Sequence, residues 1–152
     1  MLIHNFNWKR LSAIGALIST PGGRSVRLRL HFKKDSVKSP DVVAFVRALR
    51  REFSRPIILL WDRLPAHRSH QTQAYIERQT QKGGFELQWL PAYAPELNPV
   101  EYVWGRLDGG VMANYAPPTL MEVRQRLHKG ARQIYRRRDI LRSFLKESGL
   151  FF

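Results

Sequence analysis

The sequence predicts a mixed α/β fold in which a β-hairpin leads into alternating strands and helices around one sheet. Two features carry this prediction. Apolar residues alternate with a period of two early in the chain, and later they recur at helical spacing between short apolar runs. At 152 residues the chain has the length of a single domain with a substantial core. We expect that core over about 1–110 and basic C-terminal helices over about 117–152.

The first two strands are predicted to form the hairpin. Residues 11–18 are mostly small or apolar, as in a strand buried on both faces. The segment 20–23, Thr-Pro-Gly-Gly, is a strong turn signal. Residues 26–32 then alternate strictly, so that one face of the second strand is apolar and the other is polar and basic.

Two helices and two strands are predicted to follow the hairpin. Ser39 and Pro40 begin the first helix, with Ser39 as its cap and Pro40 at its first position. The apolar run 57–61 is typical of a central strand, and residues 69–81 predict a second helix that is ended by two glycines. Alternation over 85–89 predicts the next strand.

Three further helices complete the predicted order. Asn98 and Pro99 begin one of them, and two basic helices are expected from Pro118 onward, with their arginines on the outer faces. The tryptophans fall within strand or helix patterns, which favours core packing, while base stacking stays open for Trp104. The four tryptophans are Trp8, Trp61, Trp89 and Trp104.

Charge is the strongest signal in the composition. The chain has 26 Lys+Arg against 12 Asp+Glu, a formal net charge of +14, and a positive field of that density attracts polyanions. Composition therefore favours a nucleic-acid partner, with a ribosome-type or merely solvated basic surface as the alternative. The absence of cysteine excludes disulfides, zinc fingers and thiol catalysis, and no apolar stretch is long enough to predict a membrane span.

Two acidic residues are candidates for chemistry. Asp62 directly follows the run 57–61, at the sheet edge where ligands gather in α/β folds, and Glu101 lies in the first turn of the helix that Pro99 begins. If this helix packs beside the strand, both carboxylates can share Mg²⁺ or Mn²⁺, which prefer oxygen ligands and support phosphodiester cleavage. Asp62 as a turn residue and Glu101 as a partner of the helix dipole are equally good interpretations of the residues alone.

Three segments resemble one known family. Residues 90–104, Leu-Pro-Ala-Tyr-Ala-Pro-Glu-Leu-Asn-Pro-Val-Glu-Tyr-Val-Trp, resemble the signature around the last acid of the DDE transposases of mariner-related bacterial insertion sequences, the insertion-sequence 630 family. Residues 61–69 resemble the segment around the second acid of that family, and residues 6–17 resemble the strand after its first acid. Asp62 and Glu101 have 101 − 62 − 1 = 38 residues between them, which is close to the family spacing.

The resemblance implies an RNase H-like fold and metal-dependent cleavage and strand transfer of transposon-end DNA. It implies that Asp62 is the second metal-binding acid and Glu101 the third, with Mg²⁺ or Mn²⁺ as the cofactor. Arg63 stands where the family commonly has asparagine, which is a departure from the pattern. Glu96 does not match the catalytic position and is interpreted as a loop or capping residue.

The first acid of the family has no counterpart in this chain. No acidic residue precedes Asp35, which follows the second strand and is a poor substitute. We therefore expect an N-terminally truncated catalytic domain that lacks the first strand and is inactive or very slow alone. It could be a split-gene product completed by an upstream polypeptide, a decayed copy or the result of a misplaced start codon. The alternative is a non-catalytic DNA-binding or regulatory fragment that pairs with full-length transposase.

Residues near the two acids are candidate contacts to DNA at transposon ends. The candidate DNA-binding residues are Arg63, His67, Arg68 and Arg106, and Asn98 is a candidate to orient the acids. A homodimer stays open, no membrane partner is expected, and the expected location is the bacterial cytoplasm at the nucleoid. An unpaired sheet edge would be sticky, which predicts poor solubility. Tyr93 lies near a turn, and the sequence assigns it no role.

Overall fold

The computed structural model describes residues 11–115 and 118–149, in which two small sheets are flanked by helices. The segment 6–10 of the first family-like stretch, and Trp8 with it, lie outside the described residues. The elements in chain order are β1 (Leu11–Ser19), β2 (Val26–Lys34), α1 (Ser39–Glu52), β3 (Ile57–Trp61), α2 (Pro65–Arg68), α3 (His70–Gln81), β4 (Phe85–Trp89), α4 (Pro99–Arg106), α5 (Leu120–Arg136) and α6 (Arg138–Glu147). Short 3₁₀ turns cover Pro21–Gly23 and Pro95–Leu97, and a π-helical turn covers Leu107–Val111. The predicted mixed α/β class is confirmed.

The predicted hairpin is present. Strands β1 and β2 pair antiparallel from Leu11 opposite Lys34 to Ser19 opposite Val26. The turn between them uses two glycines with positive φ, 75° at Gly22 and 65° at Gly23, a conformation that costs glycine little. The apolar side of β2 is buried, and its other side is polar, as predicted.

The burial predicted for β1 is wrong. Its residues are half-buried or, in the case of Ala13, exposed, and none of them is buried. Among the described elements β1 pairs only with β2, so its second edge has no neighbouring strand there. A run of small and apolar residues shows that a strand can be buried. The elements packed beside the strand determine how much of it is buried.

Strands β3 and β4 form a parallel pair that α3 connects. The register runs from Ile57 opposite Phe85 to Trp61 opposite Trp89. A central position was expected for β3, but within the described residues β4 is its one partner. Ile58 and Leu60, on one face of β3, are 63% and 39% exposed, so the described elements leave this face partly uncovered.

The start of α1 differs from the prediction by one residue. Lys38 occupies the capping position, and Ser39 is the first helical residue. The Asp41 carboxylate accepts a hydrogen bond from the Lys38 backbone N–H at 2.8 Å. It also forms a salt bridge with Lys33 Nζ at 2.6 Å. A carboxylate in the first turn satisfies a free N–H and complements the helix dipole, so the Ser39 hydroxyl is not needed as a cap.

The core consists of two clusters. The first joins β2 to α4, α5 and α6, and its buried members are Val26, Leu28, Val103, Leu107, Ile134, Leu141, Phe144 and Leu145. The second joins α1, α3, β3 and β4, and its buried members are Val42, Val43, Val46, Trp61, Tyr75, Ile76 and Phe85. The core positions predicted for Trp61, Trp89 and Trp104 are confirmed, the first as a buried residue and the others as half-buried residues packed on the clusters. No helix in the described part of the chain is both long and apolar enough to cross a membrane.

Candidate metal and nucleic-acid site

The two candidate acids are placed by different elements. Asp62 directly follows β3, at the C-terminal end of the parallel pair, where the side chain is held by the sheet and half-buried. Glu101 lies in the first turn of α4. Asn98 links the two elements, because its side-chain oxygen accepts from Val100 N–H at the start of α4 while its amide Nδ2 lies 3.5 Å from Asp62 Oδ2. The structure therefore brings together the two family-like segments that carry the acids, residues 61–69 and residues 90–104.

His67 holds one oxygen of Asp62. Its Nδ1 lies 2.6 Å from Asp62 Oδ1, and the same oxygen accepts the Leu64 backbone N–H at 3.1 Å. The imidazole ring packs on Trp61 with 4.5 Å between ring centroids, and the His67 carbonyl accepts from Gln73 Nε2 at 2.6 Å. His67 was predicted as a DNA contact, which stays a prediction, and the structure shows its side chain engaged with Asp62. A strand end followed by Pro65 and a helical turn is the sequence signal that could have indicated this contact.

The two acids have opposite electrostatic environments. Burial by itself raises the pKa of Asp62, but the hydrogen bonds from the His67 ring and the Leu64 N–H and the electrostatic effect of that ring together hold it below its usual value. Burial and the negative charge of Asp62 raise the pKa of Glu101. A cation bound beside the two carboxylates would offset the effect of the Asp62 charge on Glu101.

The donors fit a hard divalent cation in type, but they are few. Mg²⁺ is commonly held by one or two carboxylates, with water and phosphate oxygens completing its octahedron. Asp62 and Glu101 supply such carboxylates. Across residues 11–115 and 118–149, no group of three or more histidine and acidic side chains is arranged to hold a metal. The described part of the site therefore offers two carboxylates to a cation, and water and phosphate oxygens would have to supply the other ligands.

A groove opens beside Glu101 between α4 and α6. Its volume is about 590 Å³, and Glu101, Arg106 and Glu96 line it. Arg106 is thus the predicted DNA-binding residue that shares a surface with Glu101. Glu96 lies in the 3₁₀ turn before α4 and is exposed, in agreement with its interpretation as a loop residue.

The remaining basic candidates lie on the Asp62 side. Arg63 is exposed, its Nε donates to the Leu90 carbonyl at 3.3 Å, and its guanidinium lies 5.9 Å from the centre of the Trp89 ring. Arg68 is exposed at the end of α2. The alternation over 85–89 predicted Trp89 as a strand residue. Its contact with Arg63 was not predicted, because that contact depends on the direction the chain takes after β3.

Asn98 offers a test of the link between the two acids. Replacing it with alanine removes the cap of α4 and is expected to lower the free energy of unfolding by about 1 kcal/mol. Asn98→Ser retains a capping oxygen but loses the amide beside Asp62, so it should keep most of this stability. Urea unfolding of both variants measures the difference. Equal losses in the two variants would contradict the capping role.

Comparisons with known proteins identify the family and the fold of this chain. The family model described as DDE superfamily endonuclease matches residues 5–123, more than half of the chain. Among solved structures, the catalytic domain of Mos1 mariner transposase superposes with a TM-score of 0.54 at 16% sequence identity, covering 93% of this chain and 83% of that chain. The fold is therefore the RNase H-like fold of that catalytic domain. The comparison with curated sequences returned no significant match.

Proposed function

Because this chain belongs to the DDE superfamily of endonucleases, we propose that it is the metal-dependent DNA-cleaving part of a transposase, of the insertion-sequence 630 kind. The observation that carries the proposal is the junction of Asp62 and Glu101 through Asn98, at the C-terminal end of the parallel strands. The net charge of +14 supports DNA as the substrate. Under this proposal the substrate is DNA at transposon ends, and the protein acts in the bacterial cytoplasm.

In this proposal Asp62 and Glu101 hold Mg²⁺ or Mn²⁺. When bound, the cation supplies Lewis-acid stabilisation of the charge that develops on a phosphodiester group. His67 and the Leu64 N–H fix Oδ1 of Asp62, and Asn98 Nδ2 lies 3.5 Å from Oδ2, so the carboxylate that would hold the cation is oriented by three neighbours. Cation binding would also offset the repulsion that raises the pKa of Glu101. Arg106, Arg63 and Arg68 bind DNA phosphates by charge.

The family resemblance implies a third carboxylate at the proposed site. We place it on a further strand, supplied by an upstream polypeptide, that pairs with the edge of β3. The second edge of β3, which pairs only with β4 among the described residues, supports this placement. A strand at that edge would also flank Ile58 and Leu60, which are 63% and 39% exposed. Without that strand, the exposed edge predicts poor solubility and association with a second copy of this chain.

A second candidate function is a non-catalytic DNA-binding or regulatory fragment that pairs with full-length transposase. The net charge of +14 favours it, because a basic surface binds DNA without needing a metal. Such a fragment would bind DNA with an affinity that falls steeply with salt concentration, because binding releases counterions from the phosphates. Removal of the two acids would leave this affinity unchanged.

Nicking of supercoiled plasmid DNA separates the two candidates. The chain is assayed with Mn²⁺ and with EDTA, alone and together with an upstream polypeptide that carries a strand ending in aspartate. The proposed enzyme is expected to nick DNA only with the metal, and much faster when the upstream polypeptide is present. Salt-sensitive DNA binding without nicking under either condition would support the non-catalytic fragment instead.

A further inference from the structure

Tyr93 is an aromatic side chain that contributes nothing to the core. Its exposed fraction is 101%, the largest among the exposed apolar and aromatic residues of the described chain. Its backbone has a φ of 60°, in the left-handed region that non-glycine residues seldom adopt. The ring is therefore held out into solvent from a conformation that is unfavourable for tyrosine.

The loop that carries Tyr93 is anchored at both ends. On one side the Leu90 N–H donates to the Trp61 carbonyl at 2.8 Å, and the Leu90 carbonyl accepts from Arg63. On the other side the Asn98 N–H donates to the Pro95 carbonyl at 2.9 Å, which closes the 3₁₀ turn before α4. These anchors are the neighbours of Asp62 and Glu101 along the chain. The ring thus projects from a short, tethered segment between the two acidic elements.

Folding alone does not account for tyrosine at this position. A left-handed backbone conformation disfavours a residue with a Cβ, and glycine or asparagine would adopt it with less strain. Burial of the ring would offset such a cost, but Tyr93 is fully exposed. An exposed, pre-positioned aromatic ring instead offers a stacking surface to a partner.

We propose that Tyr93 is a stacking platform for an unpaired base of the DNA strand that enters the site. The inference rests on the proposed function, since it takes the substrate to be DNA. Every base has an aromatic face, and proteins that hold single strands combine such rings with cations that bind the backbone. Exposed Arg63, which donates to the Leu90 carbonyl at the base of the Tyr93 loop, supplies a cation for the adjacent phosphate.

The test uses the full chain and a single-stranded oligonucleotide that contains 2-aminopurine, whose fluorescence is quenched by stacking. Tyr93→Ala is expected to weaken binding by about fivefold to a hundredfold and to abolish the quenching, in line with the value of one aromatic–base stack. Tyr93→Phe retains the ring and should keep both the affinity and the quenching. Met121→Ala removes another exposed side chain, on α5, and should change neither.

Stability measurements guard against a folding artefact. Tyr93→Gly removes the ring and relieves the unfavourable φ, so its Tm is expected to equal or exceed that of the wild type while its DNA binding falls as in Tyr93→Ala. Unchanged DNA affinity and quenching in both variants would overturn the inference and leave the proposed function intact. Wild-type protein that fails to bind any DNA would overturn both. Loss of self-association with DNA binding intact would reject base stacking in favour of a protein contact.

Discussion

Asp62→Ala is expected to reduce Mn²⁺-dependent nicking by about a thousandfold, which corresponds to about 4 kcal/mol of lost transition-state stabilisation. Asp62 supplies one of the two carboxylates that the structure brings together, and His67 and Leu64 already fix its orientation. Its removal leaves Glu101 as the remaining acid of the described pair, so a cation held as proposed would lose one of its two carboxylate ligands. Nicking is measured in the preparation with the upstream polypeptide added.

Metal affinity gives a second measurement that does not depend on turnover. Isothermal titration with Mn²⁺ should show about tenfold weaker binding or more for Asp62→Ala and for Glu101→Gln, because Mn²⁺ depends on anionic oxygen ligands. Glu96→Gln is the matched control, since Glu96 lines the same groove as Glu101 but lies in the preceding turn. It should leave nicking and metal affinity unchanged. If Asp62→Ala bound Mn²⁺ and nicked DNA as the wild type does, Asp62 would not be part of the metal site.

Gly130→Ala is expected to destabilise the fold by about 2 kcal/mol, although alanine is the better helix former. Gly130 is buried in α5 and faces the π-helical turn that follows α4. A Cβ at this position would contact Val111 Cγ2 and lie 2.8 Å from Cγ1 and 3.1 Å from Cβ of the same residue. Valine is branched at Cβ and stiff, so the clash must be relieved by moving α5 or the turn. Thermal or urea unfolding measures the loss.

The same substitution elsewhere should have the opposite sign. Gly105 lies in α4, and a Cβ there would have no neighbour within 4 Å, so Gly105→Ala should be neutral or should stabilise by up to about 1 kcal/mol. Val111→Ala in the Gly130→Ala background removes both clashing methyl groups and should recover part of the loss. A Gly130→Ala protein as stable as the wild type would show that α5 does not pack this closely on the turn.

Most element positions were predictable from local pattern. The hairpin, the runs 57–61 and 85–89 and the capped start of α4 at Asn98 appear where alternation and capping chemistry place them. The predicted start of α1 was off by one residue because Asp41 reaches back to the Lys38 N–H, and a side-chain contact of this kind competes with a cap that sequence spacing suggests.

The candidate acids were predictable as residues but not as a site. Their sequence context identified Asp62 and Glu101, whereas the contact of Asp62 with His67 and the 3.5 Å approach of Asn98 required the folded chain. Tyr93 illustrates the same limit. A tyrosine near a turn has no distinctive pattern, and only its positive φ and full exposure mark it as unusual.

The sequence by itself determined the α/β class and the order of the elements apart from the short helix α2, because these depend on local periodicity and turn chemistry. The resemblance of short segments to a known family singled out Asp62 and Glu101 as candidate acids. Tertiary structure alone decided the partial burial of β1, the exposure of one face of β3 and the junction of Asp62 with α4. The physical reason is that burial and proximity depend on which elements lie beside a residue. Neighbours distant in sequence supply those contacts, and no local pattern encodes them.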